Sequence, residues 1–173
     1  MRAMRSIPSV ATPRLVLRAF CLRDLDAYAA MCADEEVMRH IGSGGAVGRD
    51  IAWRHLALFL GSWSLVGHGM WAIERRSDGA LIGRAGFLDP EGWPGCELGW
   101  LLARDAWGQG YAFEASGAAL EFGRRELGLG ELISLIRPGN MRSIALAERL
   151  GARDSGPIEF MGQTARLYRH APA

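Results

Sequence analysis

The stretch LARDAWGQGYAFEASGAA, residues 102–119, places Gly108 and Gly110 between the aromatic residues Trp107 and Tyr111. Glycine is costly in ordered structure unless the backbone needs its freedom or another group must approach it closely. A strand, a glycine-rich turn and a helix in succession can hold an anion, because the unpaired N–H groups and the dipole of the first helical turn favour negative charge. The stretch therefore indicates either an anion-binding turn or a plain glycine turn, and these residues alone leave both open.

Two common phosphate-binding motifs do not fit this turn. A Walker loop requires Gly-Lys followed by Ser or Thr, and the chain contains no lysine. A Rossmann fingerprint requires a third glycine three residues after the second, where this chain has Phe113. A phosphate held here would belong to another kind of ligand.

The composition is that of one globular domain of 173 residues. Hydrophobic residues make up 49% and charged residues 23%, which is enough apolar material for an independent core. The formal net charge of +1 argues against a nucleic-acid binder. No apolar run is long enough to span a membrane and no signal peptide is present, so we expect a cytoplasmic protein with no membrane partner. We assign residues 1–12 to a flexible N-terminus and 13–170 to a single domain.

The cysteines and histidines predict no metal site. The three cysteines, Cys21, Cys32 and Cys96, lack the close spacing of redox or zinc motifs, and we interpret them as reduced. The four histidines, His40, His55, His68 and His170, show no metal-ligand spacing, and none is placed to be a ligand.

Apolar periodicity predicts an α+β or mixed α/β fold rather than a regularly alternating one. In order, the predicted elements are a strand at 14–20, helices between 24 and 63 interrupted by a loop at 42–49, three antiparallel strands between 70 and 102, a helix from 111, a strand at 132–137, a helix from 141 and a closing hairpin at 157–170. The longer helix after the loop should bury one face, formed by Ala52, Leu56, Phe59, Leu60 and Trp63.

A second motif lies about thirty residues after the glycines. NMRSIALAERLGA, residues 140–152, has the form N-x-x-S-x-x-L-x-x-x-L-G, with Asn140 at a helix cap and Gly151 at its end. Together with W-G-x-G-x-A at 107–112, it resembles the GNAT superfamily of acetyl-CoA-dependent N-acetyltransferases, and most closely the ribosomal-protein N-terminal acetyltransferases of the RimJ/RimL type. The resemblance runs from about Thr12 to Tyr168.

The resemblance implies a mostly antiparallel twisted sheet of six to seven strands, splayed in the middle and flanked by about four helices. It implies acetyl-CoA as cosubstrate, an amine acceptor as partner, and an assembly compatible with a homodimer. Loop N–H groups would hold the pyrophosphate, pantetheine would pair with the splayed strand, and Asn140 and Ser143 would face the thiol. The implied coenzyme-binding residues are Trp100, Leu101, Leu102, Trp107, Gly108, Gln109, Gly110, Tyr111, Ala112, Asn140 and Ser143.

Glu97 is the candidate general base. It interrupts an apolar strand, CELGWLL, where partial burial would raise the pKa of its carboxyl toward neutrality, as suits a base that takes a proton from an amine. The alternative is a structural glutamate bonded to a neighbouring strand. An α-amine, with a pKa near ~8, needs less help from a base than a lysine side chain, near ~10.4.

The residue that stabilises the leaving thiolate departs from the family pattern. Many superfamily members carry a tyrosine seven residues after the asparagine, where this chain has Ala147. Ser143 is the expected substitute, by hydrogen bonding to the coenzyme sulfur. An ordinary first-turn serine and a plain cap at Asn140 are the alternatives.

Other residues carry weaker predictions. We interpret Glu114 as complementing the helix dipole, and Trp107 and Tyr111 as packing residues. The acidic run at 33–36 is expected to be a solvated face, and Tyr168 either lines the acceptor site or closes the sheet. Helices between 24 and 63 and the loop at 42–48 would shape the acceptor site.

Two functions remain open on the sequence. The first is direct acetyl transfer in a ternary complex to a primary amine, either a protein N-terminus or a small molecule, without a covalent enzyme intermediate. The second is a non-catalytic acyl-CoA-binding sensor or interaction module. The absent tyrosine at position 147 keeps it open, whereas Glu97 together with Ser143 argues against it and makes the enzyme the leading hypothesis.

Overall fold

A computed structural model of the chain describes residues 6–171. Within them the strands are β1 (Val10–Ala11), β2 (Leu15–Arg18), β3 (Met70–Arg75), β4 (Leu81–Leu88), β5 (Glu97–Leu102), β6 (Leu132–Ile136), β7 (Ala152–Phe160) and β8 (Gln163–His170). The α-helices are α1 (Leu25–Cys32), α2 (Glu35–Met38), α3 (Arg49–Val66), α4 (Tyr111–Arg125) and α5 (Met141–Arg149). Short 3₁₀ turns at Leu22–Asp24 and Arg104–Ala106 precede α1 and α4.

The strands form one open sheet in the order β1-β2-β3-β4-β5-β6-β8-β7. All neighbours are antiparallel except β5 and β6, which share a single residue pair, Glu97 with Ile133. The predicted mixed, mostly antiparallel fold is confirmed. The described residues contain eight strands rather than six to seven, and five α-helices rather than about four.

Strand β3 shows how the sheet separates two cores. Trp71 and Ile73 pack with α4 on one face, whereas Met70 and Ala72 pack with α1, α2 and most of the buried stripe of α3 on the other. This alternation follows from the two-residue period of a strand. Both faces of the sheet are covered, so β3 and β4 are apolar on both sides.

The structure differs from the sequence analysis at one helix face and near the start of the chain. Leu60 is 37% exposed, because it lies a third of a turn beyond Phe59, while the buried stripe of α3 continues from Phe59 to Trp63. The chain also joins the sheet before residue 13: Val10 pairs with Leu17, and the Trp71 indole donates to the Pro8 carbonyl at 2.7 Å. The part of the predicted flexible N-terminus at residues 1–5 lies outside the described residues.

No helix between residues 6 and 171 combines the length and the apolar character required to cross a lipid bilayer.

His170, at the end of β8, is a buried base. Its Nε2 lies 2.9 Å from Ser134 Oγ, which donates its own proton to the Leu98 carbonyl at 2.7 Å. The imidazole must therefore donate from Nε2. Burial, reinforced by the positive charge of Arg124, lowers the pKa of His170 to about 4.

The free energy of unfolding is expected to fall as the pH drops from about 6.5, the ordinary pKa of histidine, toward the lowered value of His170. In that window His170 is protonated in the unfolded chain but neutral in the native one, so the free energy of unfolding falls by up to about 1.4 kcal/mol per pH unit for this one group. Free energies of unfolding measured with urea at several pH values across this range should depend less steeply on pH for His170→Gln, whose amide can still donate to Ser134. Equal slopes would assign the dependence to other groups.

Candidate functional site

The centre of the sheet opens directly beyond the single parallel pair of β5 and β6. Ser134 Oγ donates to the Leu98 carbonyl, and the Leu135 N–H donates to the Glu97 carboxylate. Two side chains thus take the positions that backbone ladder bonds would fill in a continuous sheet. Beyond them the strands diverge, and the facing edge of β5 is left without a partner strand.

A groove of about 590 Å³ occupies the gap between these strands. The second half of β5, the glycine turn with the start of α4, and the start of α5 form its walls. It is lined by ten of the eleven residues predicted to bind the coenzyme: Trp100, Leu101, Leu102, Trp107, Gly108, Gly110, Tyr111, Ala112, Asn140 and Ser143. The exception is Gln109, whose side-chain amide folds back onto the Asp105 carbonyl at 2.8 Å.

The glycine turn presents unpaired N–H groups to the groove. Within residues 6–171, none of the backbone N–H groups from Gly108 to Phe113 donates a hydrogen bond, whereas that of Trp107 reaches the Arg104 carbonyl at 3.3 Å. Gly108 and Gly110 have φ of +73° and +81°, a region that residues with a Cβ rarely adopt. Successive N–H groups in such a turn form a concave anion site at the helix N-terminus. The arrangement fits a pyrophosphate.

Arg14 braces the turn without lining the groove. Its Nη1 donates to the Gln109 carbonyl at 2.9 Å, and its Nε pairs with Glu114 at 2.7 Å. Thr12 Oγ1 also donates to Glu114, at 2.6 Å. Burial alone would raise the pKa of Glu114, but the hydrogen bonds from Thr12 and Arg14 lower it overall. These contacts give Glu114 a structural role in holding the first turn of α4 against β2.

Arginines supply the positive charge that the sequence analysis did not assign to the groove. Arg39, Arg142 and Arg149 line it, and Arg142 lies over the Trp107 ring at 4.3 Å. Guanidinium groups beside an N–H cradle are suited to phosphate oxygens. The seven-residue spacing of Arg142 and Arg149 on α5, two helical turns, could have revealed them. Trp107 itself donates to the Leu102 carbonyl at 3.0 Å, which agrees with its interpretation as a packing residue.

The start of α5 carries the predicted polar pair. Asn140 Oδ1 accepts from the Ser143 N–H at 3.3 Å and so caps the helix. Ser143 Oγ accepts from the Trp100 indole at 3.2 Å, which leaves its own proton available to a ligand. Ala147, on the inner face of α5, is fully buried against Ile136. The position at which the resemblance leads one to expect a tyrosine is thus part of the core.

A second, smaller cavity of about 140 Å³ lies on the other side of Trp100 and Ser143. Glu97 and Arg84 line it, together with Trp93, Phe160 and Thr164. The residues common to both cavities are His40, Ile41, Trp100, Asn140 and Ser143. Groups bound in the two cavities would therefore meet at Trp100 and Ser143.

The Glu97 carboxyl lies at the fork of the sheet, by which we mean the point beyond the Glu97–Ile133 pair where β5 and β6 diverge. Burial raises its pKa above the ordinary value, opposed by hydrogen bonds from the Trp93 indole at 2.7 Å and the Leu135 N–H and by the charge of Arg84. This glutamate is therefore bonded to a neighbouring strand and also lines a cavity.

The mouth of the smaller cavity is built from loops distant in sequence. Gly42 follows α2, and its carbonyl accepts from Arg137; Gln163 Nε2 donates to the Ser43 carbonyl at 3.2 Å. Both contacts tie the loop at 42–48 across the cavity to the β6 and β8 side. Tyr168 lines neither cavity and packs in the core, so it closes the sheet.

The acidic run at 33–36 divides into separate roles. Asp34 caps α2 by accepting from the Glu36 N–H at 2.9 Å. Glu36 pairs with Arg39 and lies at the edge of the larger groove.

His68 lies beside two other ligand-type side chains, a neighbourhood that its spacing in the sequence does not reveal. Its Nε2 is 3.6 Å from Asp89 Oδ2 and 3.7 Å from Cys96 Sγ. Burial, with the charges of Asp89 and Glu97, raises the pKa of Cys96 to about 12, so the thiol keeps its proton. The three residues come together because the ends of three strands meet there, although the residues are far apart in sequence. The cluster lines neither cavity.

Comparison with known proteins gives one family. Residues 14–153 match the model described as acetyltransferase (GNAT) domain. YkkB, an uncharacterised protein of Bacillus subtilis, is 35% identical over 104 residues, which cover 59% of this chain and 60% of that protein. A solved acetyltransferase from Agrobacterium tumefaciens has a TM-score of 0.84 and 32% identity, covering 98% of this chain and 97% of the other.

A further likeness concerns the fold alone. RimL, a ribosomal-protein α-N-acetyltransferase solved in complex with coenzyme A, has a TM-score of 0.79 and 15% identity. The match covers 95% of this chain and 98% of RimL.

Gly110→Ala should weaken binding of coenzyme A at least tenfold, because a Cβ at a φ of +81° reshapes the N–H cradle that holds the anion. Gly128→Ala is the matched control, since Gly128 also has a positive φ, +66°, open surroundings and a place outside both cavities. Calorimetric titration of both folded variants measures the difference. Equal affinities would remove the glycine turn from the coenzyme site.

Proposed function

The chain belongs to the acetyltransferase (GNAT) domain family and is an acetyl-CoA-dependent acyltransferase, and we propose that it transfers acetyl directly to a primary amine in a ternary complex. The observation that carries the proposal is the row of unbonded N–H groups at Gly108–Phe113 beside the open edge of β5. These groups support the assignment of the larger groove to coenzyme A and of the smaller cavity to the amine.

The coenzyme-binding role is assigned to the residues that line the larger groove. Backbone N–H groups of the glycine turn would hold the pyrophosphate, with Arg142 and Arg149 neutralising phosphate charge. The open edge of β5 at Trp100–Leu102 would pair with the amide groups of pantetheine. The bound thioester supplies an activated acetyl carbonyl with a thiolate as leaving group.

Glu97 is proposed as the general base, acting directly or through a water. A protonated amine must lose a proton before it can attack a carbonyl, and a carboxylate with a raised pKa is a stronger acceptor than an ordinary one. The Trp93 indole and the Leu135 N–H fix the carboxylate toward the smaller cavity. The same hydrogen bonds keep it in the smaller cavity, which meets the larger groove at Trp100 and Ser143.

Ser143 is proposed to stabilise the leaving thiolate. Its oxygen accepts from the Trp100 indole, so the hydroxyl proton can be directed at a sulfur in the larger groove. A hydroxyl is a weak acid, and the effect is therefore hydrogen-bond stabilisation of a leaving group rather than full proton transfer.

The cysteine positions support direct transfer rather than an acyl-enzyme. Cys32, the last residue of α1, is buried in the core. Cys96 has a raised pKa and therefore stays a thiol. Neither cavity is lined by any cysteine within residues 6–171. A covalent route would need a thiolate within reach of the thioester.

The acceptor is a protein N-terminal α-amine or a small-molecule amine. The fold shared with RimL supports a protein N-terminal amine. The small volume of the acceptor cavity supports a small-molecule amine. A thiol-release assay with acetyl-CoA and a panel of amines tests the function. Release of coenzyme A that depends on the amine, with acetylated product seen by mass spectrometry, would support it. Tight binding of coenzyme A without turnover on any amine would instead indicate the non-catalytic acyl-CoA-binding module.

Glu97→Gln should lower turnover on the order of 10²-fold, the usual size of a general-base effect. The wild-type rate should rise with pH through the raised pKa of Glu97, because the carboxylate is the active form, and the variant should lose that limb. Gln keeps one acceptor oxygen for the fork, so coenzyme A affinity should change little. Glu91→Gln, at an exposed glutamate of the preceding turn, is the control. An unaltered pH profile in the Glu97 variant would exclude this base.

Ser143→Ala should lower kcat about tenfold while leaving the acceptor KM almost unchanged, since the hydroxyl acts on the leaving group. Trp100→Phe keeps an aromatic side chain but removes the indole N–H that orients Ser143, and we expect a smaller decrease in kcat. Steady-state kinetics of both variants measure the two effects. A KM effect without a kcat effect would assign Ser143 to binding.

A further inference from the structure

Arg84 is a buried cation that has no dedicated counter-ion. It lies on β4, is 7% exposed, and lines the smaller cavity beside Glu97. Among the described residues no carboxylate oxygen comes within ion-pair distance of its guanidinium. Arg18, the other arginine whose side chain is largely buried in the sheet, pairs with both Asp24 and Glu74. Arg84 is therefore unusual within this chain.

Neutral groups fix the position of Arg84. Its Nε donates to the Tyr28 hydroxyl at 3.2 Å, its Nη1 contacts Met70 Sδ at 3.5 Å, and it lies over the Phe59 ring at 5.2 Å. These contacts hold the guanidinium but bring no negative charge. A buried charge without a partner is expensive, so such a group is expected where a ligand supplies the opposite charge.

The titratable groups packed around Arg84 do not supply that charge. Burial raises the pKa values of Tyr28 and Cys32, so both stay neutral. Burial and Arg84 itself lower the pKa of His55, which stays neutral as well. Glu97 remains the one nearby carboxylate among the described residues.

Glu97 cannot balance Arg84 throughout the reaction. As the base it accepts the amine proton, and the protonated carboxyl then carries no charge. Arg84 and Glu97 both line the smaller cavity at Gly99. Arg84 Nη1 and Glu97 Oε1 lie 3.9 and 3.8 Å from the point where a Cβ on Gly99 would stand, a point that the Met70 methyl already covers at 3.0 Å. An acceptor held in the cavity places its amine toward Glu97 and another group toward Arg84.

We propose that Arg84 is an anion subsite of the acceptor cavity and that the acceptor is a small amine bearing a carboxylate, such as a free α-amino acid. The proposal rests on the acetyl transfer proposed above. In an α-amino acid the carboxylate is separated from the amine by one carbon, which suits two groups flanking one cavity of about 140 Å³. A polyamine or an aminoglycoside would bring further positive charge against Arg84 and should be rejected.

Matched acceptors test the subsite in the wild-type protein. Kinetics are measured with free amino acids, with their carboxamides, which have the same size without the charge, and with a polyamine. We expect kcat/KM to be at least 100-fold higher for the carboxylate than for its carboxamide, because charge-assisted guanidinium–carboxylate bonds are lost in the amide. Equal use of acid and amide, or preference for the polyamine or for peptide N-termini, would overturn the subsite.

A variant series separates anion binding from a structural role. Arg84→Met, of similar length, should lower kcat/KM for the carboxylates about 100-fold, mainly through KM, and change that for the carboxamides less than threefold. Arg84→Lys should retain part of the preference. Equal losses on both acceptors, or a shifted pH profile in place of a KM effect, would reassign Arg84 to tuning Glu97. Absence of turnover on every amine would instead contradict the proposed function.

Discussion

The single parallel residue pair between β5 and β6 is the constraint on which the rest of the molecule depends. If that ladder continued, the sheet would be closed, and neither cavity would exist. At the end of the ladder the side chains of Ser134 and Glu97 hydrogen-bond to backbone groups of the neighbouring strand. These backbone groups therefore have partners although the two strands do not pair further. His170 supports Ser134 from the neighbouring strand. The same glutamate lines the smaller cavity, which meets the larger groove at Trp100 and Ser143.

Charge in the groove is divided between two kinds of donor. The glycine turn offers N–H dipoles that carry no net charge, and Arg39, Arg142 and Arg149 add full charges along the walls. This division explains how a chain with a net charge of +1 can be suited to a polyanionic cosubstrate. The arginines that line the groove supply positive charge locally, without an overall positive field of the protein. Arg14 and Glu114, beside the turn, neutralise each other.

Local sequence signals predicted much of this architecture, and the remainder depends on contacts between distant segments. The cap at Asn140, the strands around residues 70–102 and the closing hairpin follow from turn chemistry and periodicity, which operate over a few residues. The two-residue strand β1 has no periodicity to detect, and the exposure of Leu60 depends on how α3 rotates against its neighbours. The fork bonds of Ser134 and the isolation of Arg84 arise only when strands far apart in sequence come together. The assignment of Glu97 and Ser143 to chemistry remains a prediction, although both line the cavity where the substrates would meet.

The arginine lining of the groove also protects the protein from its own chemistry. A lysine beside a bound thioester would be an intramolecular nucleophile, present at an effective concentration far above that of any free amine. A guanidinium keeps its proton at every physiological pH and has no lone pair to attack with. Because the chain contains no lysine, none of its side chains offers an amine for self-acetylation.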